Sequence, residues 1–355
     1  YEVELHEQEY TEGDIEDNPD EEESPVLYAI FSKDGRFLLL RDPSMKERIS
    51  GRVTGSVNAG SLASPISQYV ENAPFKSMYV NIKDGNRLIR TVTDVDGNFD
   101  AEIANPQGVR AIFQGPNVVV NNLIRGRSQI IIDQPNSQGY DIDLNLYNTP
   151  TQSGDDTAAG QESNVFYHLN LAHEFFSQSY LGLGRYVDRL RTIAIINARN
   201  PFSCSGICGV VLGYVRGSSI FFLDNGGIGG DGTRNRYAIY HEYGHIISGR
   251  LGYGYRSIMQ VIINEGYSDF SACVIGEYAI ENYPNIFLYS IPVCSDSSSI
   301  PSLDNLDYFD KSIIVGMLYD VRSEFTSAQQ AEYVIYNALR LRPRSFVDLV
   351  ESLIV

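Results

Sequence analysis

Five residues, His241-Glu242-Tyr243-Gly244-His245, form an HExxH pattern. On a helix, positions four apart share a face, so two imidazoles can converge on one ion. Glu242 is the next residue round and can face a water held there. A catalytic zinc takes three protein ligands and keeps one open position. It lowers the pKa of its water to about 7, and a nearby carboxylate can then take the proton as the water attacks a carbonyl. HExxH alone recurs by chance, and the plain alternative is a surface helix with two ordinary histidines.

A second group supplies what the first lacks. Asn264-Glu265-Gly266-Tyr267-Ser268-Asp269 falls on the next expected helix. Glu265 offers a third ligand, and Asp269 sits one turn later on the same face. A zinc-bound imidazole needs its second ring N–H held by a carboxylate or carbonyl, and Asp269 is the candidate for His241. Two acids on so apolar a helix are costly to bury without such partners.

HEYGH followed by NEGYSDF resembles the gluzincin peptidases of the thermolysin and fungalysin type. Nineteen residues separate His245 from Glu265, as in thermolysin-like enzymes. The zinc aminopeptidases that share HExxH have a shorter gap, lack the Asp one turn on, and carry a GxMEN motif absent here. The similarity extends to NVFYHLNLAHEFF, SSIFFLDNGG and IIVGMLYDVR, and so covers roughly 163–355. It implies an α+β zincin catalytic domain with Zn2+ held by His241, His245 and Glu265. It further implies Glu242 as general base, Asp269 as support for His241, and a polypeptide substrate. That substrate would pair along an edge strand made of Ser218, Ser219, Ile220, Phe221, Phe222 and Leu223.

One departure stands out. Thermolysin-like enzymes carry another His before the late helix, bonding the oxyanion, but the five His here are at 6, 168, 173, 241 and 245. Matching IIVGMLYDVR to the family helix puts Tyr308 or Phe309 at that place, and a Tyr hydroxyl can donate the same bond. Near the family's other oxyanion-binding Tyr stand Tyr253, Tyr255 and Arg256, with equal spacing landing on Arg256. The leading function is a zinc endopeptidase. The alternative is a secreted binding or adhesion protein with a retained, inactive zinc fold. His168 and His173, five apart, are in the wrong face relation for a shared ion and read as packing or surface residues.

The elements that must position these groups follow from patterning. The chain of 355 residues is long enough for two domains. Residues 1–24 hold twelve Asp or Glu and no Lys or Arg, two thirds of the net charge of −18. So acidic and apolar-poor a segment reads as disordered or as a tether. Residues 25–48 read as a β-hairpin around Lys33-Asp34-Gly35-Arg36, weakly similar to the tail of a pro-region. From 49 to 148 short strands alternate with turns, the spacing of an all-β sandwich. This part resembles the transthyretin-like or carboxypeptidase-regulatory-like modules found beside secreted peptidases. Asp94, Asp96, Asn98 and Asp100 alternate as oxygen ligands of Ca2+ do, against the preferred reading of a hairpin turn with solvated acids. Residues 149–162 read as a linker, and 163–355 as an α+β unit expected to fold without the sandwich.

An acidic chain is a poor partner for nucleic acid, since phosphate neutralisation needs clustered Lys and Arg. No apolar run approaches the ~20 residues of a membrane span. Cys204, Cys208, Cys273 and Cys294 form no CxxC pair, and two disulfides are expected, hence an oxidising location: secreted, periplasmic or cell surface. With Tyr at position 1, any signal peptide is read as already removed. The oligomeric state is not specified by the sequence.

Overall fold

The computed structural model describes residues 2–5, 27–31, 37–41, 47–59, 69–103, 106–123, 129–132, 140–144, 158–198, 213–223, 232–254, 256–287 and 311–354. Antiparallel sheets come first, and a mostly helical region with the HExxH helix follows. β1 (Glu2–Leu5), β2 (Leu27–Phe31) and β3 (Phe37–Arg41) form a three-stranded antiparallel sheet. The acidic start is therefore not wholly unstructured: Glu2–Leu5 pairs with Leu27–Ile30. Its remaining residues, and the hairpin turn at 33–36, lie outside the described residues.

β4 (Glu47–Asn58) is long enough to serve two partners, β8 (Asn98–Ile103) along its first half and β5 (Tyr69–Pro74) along its second. β6 (Tyr79–Asp84), β7 (Arg87–Val92) and β9 (Pro106–Ile112) build a second antiparallel sheet, which β11 (Gln129–Ile132) extends beside β9. β12 (Ile142–Asp143) lies parallel to β4. Val53, Val57, Phe75, Val80, Ile82, Phe99 and Val109, inward at alternate positions, are all buried in the core.

β10 (Val118–Asn122) leaves this arrangement. It pairs in parallel with β13 (Thr192–Ala198), Val118 opposite Thr192 through Asn122 opposite Ile196. β13 in turn pairs with β15 (Ser219–Leu223), and β15 with β14 (Gly213–Arg216). The sheet beside the HExxH helix thus takes a strand from well before the expected linker. The linker itself is shorter than expected, because α1 (Ala158–Phe176) begins inside it. The sequence division at 149–162 does not coincide with the division of the sheets.

After α1, a 3-10 turn and the short α2 (Gly184–Val187) lead to β13. Five longer helices complete the described chain: α3 (Arg236–Arg250), α4 (Ile258–Asn282), α5 (Lys311–Glu324), α6 (Ala328–Arg340) and α7 (Phe346–Ile354). α1 is buried over most of its length and packs on β10, β4 and α3. No described helix is long and apolar enough to cross a membrane. Cys273 is buried in α4 and is not a free thiol. Cys204, Cys208 and Cys294 lie outside the described residues, and so does the pairing expected of them.

Candidate metal centre

Two helices build the site, and each starts on a side-chain cap. Asn235 accepts hydrogen bonds from the backbone N–H of Tyr237 and Ala238 at the head of α3, and Ser257 accepts from Gln260 at the head of α4. The helices meet at Gly244, between the two histidines. A Cβ there would stand 2.9 Å from Ser268 Cα, so only glycine lets α4 come this close.

That approach gathers the ligands. The ligand atoms of His241, His245 and Glu265 all lie within 4.8 Å of one another. His241 Nε2 is 3.3 Å from Glu265 Oε2, and His245 Nε2 is 3.4 Å from Glu265 Oε1. The rings stand nearly perpendicular, with centroids 4.7 Å apart. Two imidazoles and a carboxylate are a donor set suited to zinc, and three ligands leave a fourth position open. Among the described residues this is the one group of His, Cys, Asp and Glu so gathered.

Both rings are held from behind by α4. His241 Nδ1–H donates to Asp269 Oδ1 at 2.6 Å, as expected from the sequence. His245 Nδ1 is 2.8 Å from Ser268 Oγ. A ligating Nε2 leaves the proton on Nδ1, which makes Ser268 Oγ the acceptor. Asp269 has further partners: Tyr237 O–H donates to Oδ1 in a short bond, and Lys311 Nζ lies 2.9 Å from Oδ2. Burial works against the charge on Asp269, but the bond from His241 and the nearby cations hold its carboxyl below the usual range. Burial likewise opposes the charge on Glu265, and the two imidazoles outweigh it, keeping that carboxyl low.

Glu242 is different. It is 7% exposed, and burial pushes its carboxyl up even though His241 and His245 pull it down. Its Oε2 is buried with no hydrogen-bond partner. A Cβ on Gly213 of β14 would stand 3.2 Å from its Oε1, so β14 borders the carboxyl closely at that point.

The strand expectation needs correction. Ser219–Leu223 is β15, flanked on both sides by β13 and β14, and Ser218 lies in the turn between β14 and β15. Its backbone groups are committed to neighbours. The outer described strands of this sheet are β10 and β14, and β14, one hairpin arm earlier than β15, carries Gly213, Tyr214, Val215 and Arg216 beside Glu242. Tyr214 stacks on Phe221 with ring centroids 4.6 Å apart. Sequence showed a β-rich stretch but not which arm of the hairpin faces out.

The other expected residues are not brought together. Tyr255 and Tyr308, like Phe309, lie outside the described residues. Arg256 is exposed just before α4, its backbone N–H donating to Gln260 Oε1. No hydrogen bond or ion pair joins it to the ligand group. Tyr253 is buried and donates to the carbonyl of Pro343. The calcium reading is also not supported: Asp94 Oδ1 caps its own turn by accepting from the N–H of Asp96 and Asn98, and Asp100 pairs with Arg48 at 2.6 Å. Ser268, Tyr237 and Lys311 escaped the sequence reading. Ser268 alone had a signal there, one position before Asp269 on the ligand helix.

No family model and no curated protein matches the chain. Among solved structures it is similar to a precursor of protealysin, a metalloproteinase from Serratia proteamaculans, at 14% identity and a TM-score of 0.39, covering 67% of this chain and 79% of that one. At that score nothing of function is carried across, and the side-chain geometry has to stand by itself.

Proposed function

We propose that the chain is a zinc-dependent endopeptidase. The observation that carries this reading is the buried, unpartnered Oε2 of Glu242 beside a converging His241–His245–Glu265 group. A site that only bound metal for structure has no use for an unpaired carboxyl next to it. Zinc, when bound, would act as a Lewis acid toward a carbonyl and toward water. The protein's own contributions follow from the residues. Glu242 Oε2 accepts a proton from water and delivers it to the leaving amine, a role suited to a carboxyl whose pKa burial raises. Asp269 and Ser268 hold the two imidazoles so that both Nε2 atoms face the same point. An extended polypeptide pairs antiparallel with β14, its main chain supplying affinity at an outer strand of the sheet.

The test uses the whole chain and an unstructured protein substrate. Proteolysis is expected in the presence of zinc and not after chelation. Glu242→Gln is expected to retain stoichiometric zinc while turnover falls by roughly 10²–10⁴. If Glu242→Gln keeps wild-type turnover with the metal in place, the base is another group. If the zinc-loaded wild-type chain cleaves no substrate, the peptidase reading fails.

A further inference from the structure

Lys311 is the first residue of α5. A cation there is at the unfavourable end of the helix dipole, where anions are stabilised. Its side chain nevertheless turns inward, three-quarters covered, to put Nζ 2.9 Å from Oδ2 of Asp269. Asp269 is almost fully buried and lies among two other buried carboxyls, Glu265 and Glu242. Its two oxygens have separate duties. Oδ1 receives His241 Nδ1–H and the Tyr237 hydroxyl, and Oδ2 receives Lys311. Removing the ammonium leaves Oδ2 of a buried carboxylate without its cation, and the hold on Asp269 beside His241 is weakened to the bonds at Oδ1.

The helix crossing makes this a fixed arrangement. A Cβ on Gly266, next to Glu265, would stand 2.4 Å from Ile314 Cβ and 3.2 Å from the Lys311 carbonyl oxygen. The first turn of α5 is therefore pressed against the ligand helix itself, and Lys311 reaches Asp269 from a rigid base.

We propose that Lys311 is a positioning residue of the metal centre: its ammonium orients Asp269 toward His241 and thereby sets the affinity for metal. This rests on the zinc reading above. The ion pair that Lys311 makes is with Asp269, and through it the ammonium acts on His241.

The experiment measures zinc dissociation by competition with a chelator on the full chain at fixed pH, with no substrate. Lys311→Met keeps most of the stem and loses the charge, and it is expected to bind zinc about tenfold or more weakly, the usual effect of losing a partner behind a metal ligand. Lys311→Arg keeps a cation and is expected to recover most of that loss. A purely structural role predicts a fall in the melting temperature of the metal-free protein, with zinc affinity unchanged. Should Lys311→Met not fold, Lys311→Gln, which donates to Oδ2 without a charge, gives the same comparison. Wild-type affinity in the neutral variant overturns the role of Lys311 alone, as does an Arg variant no tighter than the neutral one. A wild-type chain that takes up no stoichiometric zinc overturns the metal reading and this role with it.

Discussion

His168 and His173 carry no catalytic duty, and their titration is set by where they lie. Asn58 O can only accept, so His168 Nε2–H donates to it at 2.9 Å, and Nδ1 accepts from Tyr240 O–H at 2.7 Å. The ring is neutral and fully buried. Burial, then Arg236, push its pKa down to about 3, and the bond to Asn58 does not offset them. His173, near Tyr243, is pushed down to about 4 by burial, which outweighs the upward pull of Asp188, with Lys76 adding a smaller downward push. Both folded values lie below the unfolded value near 6.5. The unfolded chain therefore binds more protons than the folded one in acid, and stability present above pH ~6.5 is lost as pH falls toward 4. Each group contributes about 1.4 kcal/mol per pH unit in that window. In urea melts from pH 7 to 5 on the metal-free protein, His168→Gln is expected to lose less stability toward acid than the unsubstituted chain. An unchanged slope in that variant would show that His168 is already charged in the fold. The sequence read these two as packing or surface residues because five-residue spacing is the wrong face relation for a shared ion, and the structure buries both. It marked His241, His245, Glu265 and Asp269 because helical spacing alone brings such residues to one face. Tyr237 and Lys311 were not legible, since their partner Asp269 is reached only after helices cross.

Helix crossings are decided by small residues, and two glycines of the described helices make opposite predictions. At Gly266 a new Cβ meets Ile314 Cβ at 2.4 Å and Cγ2 at 2.5 Å. These atoms sit close to the α5 backbone and cannot swing aside. At Gly249, near the end of α3, nothing lies within 4 Å. Alanine gains about 1 kcal/mol of helix propensity at either site, but overpacking costs about 1–3 kcal/mol. Gly266→Ala is therefore expected to lower the melting temperature by several degrees, and Gly249→Ala to leave it unchanged or raise it. Equal effects from the two would show that α4 and α5 do not touch at Gly266. The two ligand helices were expected from the HExxH and NEGYSD spacing and are observed as α3 and α4. What sequence could not supply was the order of strands. SIFFL is more apolar than GYVR and is interior to the sheet, whereas the resemblance of SSIFFLDNGG to the family's strand implied an edge. The exposed arm, being more polar, drew no attention.

At the scale of the whole molecule the question is what counts as a unit. VVVNN at 118–122 lacks the alternation of a half-buried strand, because it sits in a parallel pair covered on both faces. It was accordingly not recognised as a strand, and without it the helical half looked self-sufficient. In the fold, β10 closes one side of the β10–β13–β15–β14 sheet, and one hydrophobic core runs through both halves. The seam is also specific in its polar contacts. Asn58 donates its backbone N–H to Asn164 Oδ1 at 2.9 Å and accepts from His168. Phe75 packs on Tyr167 with centroids 5.5 Å apart, and Phe113 on Phe166 at 6.2 Å. Lys76 reaches across to Glu174 and, at 2.6 Å, to the hydroxyl of Tyr283. A fragment beginning at residue 158 would keep every metal ligand yet lose the strand beside β13. It would expose Phe166, Tyr167 and Leu169 on α1 and leave the buried ring of His168 without its carbonyl. Each large apolar side chain returned to water forfeits about 1.5–3 kcal/mol, so a few of them match the whole stability of a typical domain, about 5–15 kcal/mol. The fragment is expected to be insoluble or to melt without cooperativity, and to bind zinc weakly because α1, which packs on α3 and α4, has lost β4 and β10 from its other side. The check is a thermal melt and a zinc titration of the fragment against the full chain. A cooperative melt near that of the full chain, with zinc bound as tightly, would restore the two-unit division read from the linker.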